Sequence, residues 1–423
     1  MRVLTTDGSH FVGYAVVRAL RPHAAHVGVL TRDPRRSAVA RSRHVDAVDE
    51  LALPARIPTY AVEGPHNAPE EAAFVDALCA ICARDGIDIV FPTSDYEVLL
   101  LAKNRDLLAE RGVVAPVPPF EGAMAAFDKV ATPALATEVG LPAPRAIGVR
   151  DVAEAREAAR ELGLPVVVKP GFSFGGYGVG AARSLDEVAE LVEHAQIFAP
   201  SVVVQEYVPG SSEPSIHAVL DTAGGIVAAF TVEKLRYAGA SLSTAVRIAP
   251  DLPEADAALA LARKLGVRGF VTVQLKRDSR DGSHKLIEVN PRLGANARIV
   301  VRLALRFGQN LPLLAAQAAA GPMERAARRL PVGRIGVSPF EDALAIATYR
   351  QARRDAPLDG NPLPPAGRLA RSYLDTYVRR RPTVDFYARA LVDDPAAALA
   401  GLRQTVEVWR GGNTRFLPWG GVR

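Results

Sequence analysis

Along the first 118 residues, short β-branched runs take turns with stretches of helical apolar spacing. Residues 2–6 (RVLTT) and 26–31 (HVGVLT) read as strands, 12–20 and 70–84 as helices, and 88–92 (DIVFP) as a further strand. Alternation of this kind predicts a parallel sheet covered on both faces. Residues 92–102 (PTSDYEVLLLA) look like a strand end followed by a helix with polar groups at its N-terminus, a common place for ligand contacts. Three prolines within 113–119 mark a boundary.

The pattern then changes. Asp128-Lys129 leads into a short helix to Val139, and GLPAP (140–144) stops it. The next helix, 151–162, opens with Asp151 as N-cap and Glu154 three residues on. A buried strand (Val166, Val167, Val168) ends in Lys169-Pro170, and a glycine-rich loop runs to Gly180. A helix over 184–194 and a strand over 201–208 follow, the latter stopped by Pro209-Gly210. Residues 271–276 and 285–290 read as two strands around the polar turn SRDG. From residue 323 the chain is rich in Arg, Ala and Pro and reads as largely helical, with a loop over 358–365 and no recognisable chemistry.

Two of these stretches carry candidate chemistry. Gly175, Gly176, Gly178 and Gly180 allow a backbone to approach a ligand and turn N–H groups towards a phosphate chain, and Lys169 adds a movable charge at the mouth of the loop. The lysine precedes the glycines, so this is no Walker A loop. In the second stretch, a hairpin centred near Asp281 sets Gln274 opposite Glu288, with Asn290 on the same face and Arg292 just beyond. Three oxygen-bearing side chains on one face suit Mg²⁺ whose shell is completed by phosphates.

Composition narrows the class. The 423 residues leave room for two or three domains, and no apolar run approaches the roughly 18 residues of a membrane span. With two cysteines and no signal-peptide layout, the cytosol is the expected compartment. Cys79 and Cys82 share the apolar face of one helix and read as core packing, because a zinc site needs about four ligands. There are 44 arginines but only seven lysines, which makes each lysine informative. Residues 320–423 hold 17 Arg against 10 acidic residues, a solvated surface rather than a nucleic-acid module. The Gly8…Gly13 spacing lacks the dinucleotide fingerprint, and Arg32 stands where an acid would close the second strand, which argues against a nicotinamide oxidoreductase.

Taken in order, these residues resemble the ATP-grasp superfamily, most closely the carbamoyl-phosphate-synthase-like branch of carboxylate–amine ligases. The resemblance implies an α/β (α+β ATP-grasp) chain: a Rossmann-like pre-ATP-grasp domain over 1–118, an ATP-grasp domain over 119–322 with a lid at about 130–207, and a C-terminal extension over 323–423 of mainly helical character. Lys129 and Lys169 match the two ATP-contacting lysines. KPGFSFGGYGVG matches the loop that closes over the phosphates, with Ser173, Gly175, Gly176 and Gly178 as contacts. QEYVPGSSE matches the adenine hinge, with Glu206 and Val208 at the base and Glu213 at the ribose. Gln274, Glu288 and Asn290 match the metal ligands, and Arg292 the arginine beside the transferring phosphoryl group. Lys169 and Arg292 are the implied catalytic pair.

The implied activity is ATP-dependent amide formation from a carboxylate and an amine through an acyl phosphate, with ATP and Mg²⁺ or Mn²⁺. A carboxylase or kinase acting on bicarbonate or a hydroxyl is the alternative. Arg247 and Lys234 are candidates for holding a substrate carboxylate. The expected partners are small molecules, with no nucleic acid or membrane, and a homodimer is one assembly open to such a chain. Departures are a single synthase half, no visible glutaminase segment, and Gln274 where a carboxylate would add charge.

Overall fold

The computed structural model of the chain describes residues 1–7, 10–51, 69–172, 178–238, 242–294, 296–324, 329–343, 345–346 and 366–410. The first sheet joins β1 (Arg2–Thr6), β2 (His26–Thr31), β3 (Ala47–Glu50) and β4 (Ile89–Phe91) in the order β3-β2-β1-β4, all parallel. The pleat sends Val3 to one face and Leu4 to the other. Val3 meets the helix His10–Leu20, and Leu4 meets the helix Pro69–Asp85. Cys79 and Cys82 are free thiols within that second core, where burial pushes Cys82 up to about 12. The pattern of the sequence identifies every strand here except β3, whose AVDE segment alternates half-buried with exposed positions at a sheet edge.

A small antiparallel sheet follows, in the order β5-β8-β6-β7: β5 (Ala146–Val149), β6 (Val166–Pro170), β7 (Gly180–Ala182) and β8 (Val202–Glu206). Helices Val152–Leu162 and Leu185–Gln196 bury their apolar stripes against it. Both start at side-chain caps: Asp151 accepts from the Glu154 N–H at 2.9 Å and Ser184 from the Glu187 N–H at 3.2 Å.

The large sheet runs β13-β12-β9-β10-β11-β14-β15, made of β9 (Pro214–Leu220), β10 (Ile226–Ala238), β11 (Leu242–Ala249), β12 (Gly269–Arg277), β13 (His284–Asn290), β14 (Ile335–Val337) and β15 (Thr383–Val384). Ile216, Ala218, Val271, Val273 and Leu286 pack one face against the helix Ala255–Lys264. Phe230, Val232, Val246 and Ile248 pack the other into one core with the helix Ala297–Arg306, the helix His10–Leu20 and the first sheet.

The C-terminal segment is thus part of the large sheet, contributing β14 and β15 as well as helices. Buried ion pairs tie it down. Arg298 meets Glu341 at 2.9 Å and Asp385 at 3.1 Å, and Arg236 meets Asp342 at 2.7 Å. The loop expected over 358–365 lies outside the described residues. Among the described residues, no single helix is long and apolar enough to cross a membrane.

Candidate functional site

The hairpin of β12 and β13 supplies the centre of the site. Gln274 pairs with Glu288 and Thr272 with Asn290, so Gln274, Glu288 and Asn290 share one face. On that face the Gln274 amide donates to Glu288 Oε1 at 2.7 Å and the Asn290 amide donates to the same oxygen at 2.9 Å. The other carboxylate oxygen faces Lys129, with Nζ at 3.7 Å. Burial opposes the charge on Glu288, but Lys129, the Asn290 bond, Arg292 and Lys234 together hold its carboxyl below the usual range.

Lys129 is carried to this point by backbone. The helix Phe120–Phe127 leads into it, and the Lys129 N–H donates to the Gly171 carbonyl at 3.0 Å, just past the end of β6. That bond brings the two lysines together, since Lys169 is the fourth residue of β6. Lys169 is buried, and its ammonium donates to Gln205 Oε1 on β8 at 2.8 Å. Burial and then the charge of Lys129 push it down to about 7, and Glu288 opposes them.

Arg292 follows β13 and reaches across to the helix that follows β4. Its Nε and Nη2 donate to the two oxygens of Asp95 at 2.6 and 2.7 Å, a bidentate fork. Asp95 opens the helix Asp95–Lys103, whose N-cap Ser94 and Glu97 form a reciprocal capping box. The sequence marks this helix N-terminus as a place for ligand contacts but not Asp95 as the anchor of the arginine. Gln205 was likewise missed, because its role depends on β8 lying beside β6.

The hinge between the small and large sheets is pinned to the hairpin. Ser279 N–H donates to the Pro209 carbonyl, and a Cβ on Gly210, at φ +132°, would lie 2.2 Å from the Arg277 carbonyl oxygen. The Glu206 carboxylate turns to the same hairpin, meeting Arg280 at 2.5 Å and Lys285 at 3.1 Å, and its N–H is spent on the Arg145 carbonyl. Val208 is buried. Glu213 pairs with Lys234 at 2.8 Å, so these two predicted residues neutralise each other at the site's edge.

Arg247 is not brought to the cluster. It pairs with Glu233, its cross-strand neighbour, whereas Val232 and Lys234 occupy the opposite face, the one that continues to Ser215, Gln274 and Glu288. In the glycine loop, Ser173, Gly175 and Gly176 lie outside the described residues. Gly178 is a turn glycine at φ +71° whose Cβ would meet Phe198 and Pro170. Gly180, expected to approach a ligand, is instead a packing glycine of β7. A Cβ there would lie 2.3 Å from a Leu191 methyl.

The donor set fits a hard divalent cation: one carboxylate and two amide side chains converge on a single point, with cations opposite to receive phosphate. A strand lysine of the smaller sheet, Lys169, thus lies within electrostatic reach of the carboxylate–amide cluster on the larger. Residues 128–321 match the family model described as "Carbamoyl-phosphate synthase L chain, ATP binding domain", and this part of the chain is similar to that family.

The N-terminal section of a Methanopyrus kandleri carbamoyl phosphate synthase large chain is 28% identical over 222 residues, 50% of this chain and 36% of that protein. The chain thus spans little more than a third of that relative's length. Among solved structures, the biotin carboxylase domain dimer of Hydrogenobacter thermophilus 2-oxoglutarate carboxylase, in complex with MgADP, ADP and bicarbonate, superposes with a TM-score of 0.62 at 17% identity, covering 79% of this chain and 73% of the other. An L-amino acid ligase from Bacillus licheniformis gives 0.58 at 18% identity, covering 76% and 75%. At these identities the two structures establish the shared fold.

Proposed function

We propose that the chain is an ATP-dependent carboxylate–amine ligase that forms an amide through an acyl phosphate and releases ADP and phosphate. The observation that carries this reading is the convergence of Lys129, Lys169 and Arg292 around Glu288, whose carboxylate already gathers Gln274 and Asn290. Such an arrangement is built to hold a polyphosphate and stabilise charge moving between oxygens. Lys129 and Lys169 grip the phosphates, with Arg292, locked by Asp95, beside the group in transfer. Gln274, Glu288 and Asn290 hold Mg²⁺ or Mn²⁺, which when bound neutralises phosphate charge. The hinge at Glu206 to Val208 faces the base, and Glu213 the ribose. The small sheet and its glycine loop act as a lid that keeps water from the intermediate. Lys234, on the site's own face, orients the substrate carboxylate.

In the first step a carboxylate oxygen attacks the γ-phosphorus and the bond to the β-phosphate oxygen breaks, releasing ADP. In the second, the amine nitrogen attacks the acyl carbon and loses a proton, and phosphate departs with one former carboxylate oxygen. The test is a screen of small acids paired with amines for ADP release, followed by ¹⁸O labelling of the productive acid. Label is expected in inorganic phosphate, with ADP as the nucleotide product. Label in AMP with release of pyrophosphate overturns the mechanism. Turnover that needs bicarbonate and no amine assigns the chain to a carboxylase instead.

A further inference from the structure

Beside the Gln274, Glu288 and Asn290 node stands a buried histidine that neither phosphoryl transfer nor amide formation uses. On the same face of the large sheet, β9 sets Ser215 opposite Gln274 and His217 opposite Thr272, and β13 sets Asn290 opposite Thr272 from the other side. Gln274 therefore has Glu288 on one flank and Ser215 on the other. The His217 ring joins the two hydroxyls, with Nε2 3.0 Å from Ser215 Oγ and Nδ1 3.4 Å from Thr272 Oγ1. Ser215, His217 and Thr272 are 2, 1 and 3% exposed, so this polar layer is closed to solvent.

The direction of the hydrogen bonds in this layer follows from its surroundings. Phe230 stacks on the imidazole at 5.4 Å and Phe270 lies at 5.7 Å, and burial keeps the ring neutral. A neutral imidazole has one N–H and one lone pair, so one hydroxyl accepts from it and the other donates to it. Ser215 Oγ also reaches the Val232 carbonyl, at 3.5 Å, and a carbonyl can only accept. Ser215 thus gives its proton to Val232 and accepts from Nε2–H, which leaves Nδ1 to accept from Thr272. Both hydroxyl protons are then spent. Towards the node, Ser215 and Thr272 present lone pairs only.

Such acceptors are what the node lacks. Gln274 and Asn290 both donate their amide N–H groups to Glu288 Oε1. To hold a divalent cation the two amides must present oxygen instead and give up those bonds. Two buried donors then need new partners, because a donor left without one is a penalty on binding. We infer that His217 is a positioning residue for the metal node: it orients Ser215 and Thr272 to receive the N–H groups that Gln274 and Asn290 release when their oxygens turn to the cation. The inference rests on the assignment of Gln274, Glu288 and Asn290 as metal ligands. Ser215 serves Gln274 and Thr272 serves Asn290, each its cross-strand neighbour. A carboxylate in place of Gln274 would have no N–H to rehouse, so the glutamine and the layer beside it belong together.

The experiment is calorimetric titration of the full chain with MgADP and, separately, with ADP in the presence of a chelator. The wild type should bind MgADP the more tightly. Ser215→Ala and Thr272→Val should each weaken MgADP by about tenfold and leave metal-free ADP unchanged. His217→Phe should do the same, and His217→Gln, which can both donate and accept, should recover part of the loss. In the Ser215→Ala, Thr272→Val double variant, His217→Phe should make no further difference, since the ring acts only through the two hydroxyls. If His217→Phe does not fold, the hydroxyl variants decide the question alone. MgADP bound as tightly by those variants as by the wild type overturns the inference and leaves the metal node standing. Equal losses with and without metal overturn it too, because the layer would then serve only the fold. A wild type that binds MgADP no better than ADP overturns the node itself, and the inference with it.

Discussion

Lys169 provides the most direct test of the site's electrostatics, because its charge is a cost to the empty protein. The ammonium is buried beside Lys129 and pushed down to about 7. In the unfolded chain it titrates near 10.4. Between these values the unfolded state binds one proton more than the native state, so stability rises with pH at up to about 1.4 kcal/mol per unit. Integrated from pH 7 to pH 9.5, with half-protonation at the lower end, the gain is about 3 kcal/mol. Below pH 7 both states are charged and the full penalty persists. Lys169→Met keeps the length of the side chain and removes the titration. Denaturant unfolding of both proteins at pH 6, 7, 8.5 and 9.5 isolates the term as a double difference. The variant should be the more stable at pH 6, and its advantage should shrink by about 3 kcal/mol across the upper range. It should also have lost ATP turnover, which shows that the penalty is kept for a ligand. A flat difference across pH would mean that Lys169 is ordinarily solvated and that the cluster around it is wrongly drawn.

Three further outcomes follow from the same geometry. Glu288→Gln keeps the shape of the node and removes its charge, so turnover should fall by about a thousandfold while thermal stability holds, and a variant with wild-type Mg²⁺ dependence would exclude the hairpin as the metal site. Asp95→Ala strands the Arg292 guanidinium and should destabilise the fold by about 3 kcal/mol, with Asp95→Glu recovering part of it. Equal stability of the two in chemical denaturation would show that the fork carries no weight. Arg247→Ala acts on the face away from the site, so steady-state rates should stay within about twofold and stability within about 0.5 kcal/mol. A large rise in KM for the acid substrate would return Arg247 to the binding site.

The legible part of the site is the part set by local pairing. Centring the hairpin on Asp281 gives Gln274 opposite Glu288, and that pair is present. It survives for a reason the sequence hides. The outer pairs, Lys276 with Lys285 and Arg277 with His284, run half a residue out of that register. A bulge between Gln274 and Leu275 leaves Ile287 out of the pairing and restores the alignment at Gln274 and Glu288. The cap Asp151 was legible because its signal spans three residues. Asp95 with Arg292 was not, since 197 positions separate them and only the packing of the helix after β4 beside the end of β13 joins them. Strands β14 and β15 have three and two residues, too few for alternation to show, and so the extension read as largely helical.

The same distinction explains why Arg247 and Lys234 looked equivalent in the sequence. Each is a cation in a strand of β-branched residues. What separates them is the parity of the pleat, fixed by which neighbours must be buried. Val232, Val246 and Ile248 go into the core against the helix Ala297–Arg306, and this commits Lys234 to their face and Arg247 to the other. The face chosen by packing is also the one on which Glu288 stands. On that face Lys234 also meets Glu213, at 2.8 Å. Gln274 obeys a similar constraint. A carboxylate in its place would lie against Glu288 at the distance now closed by an amide hydrogen bond, and without metal one of the two would have to bind a proton. Glutamine lets the node keep a single negative charge facing Lys129 and leaves the positive excess of the cleft available to phosphate. Glutamine at this position therefore lets Glu288 stay ionised as a single negative charge beside Lys129.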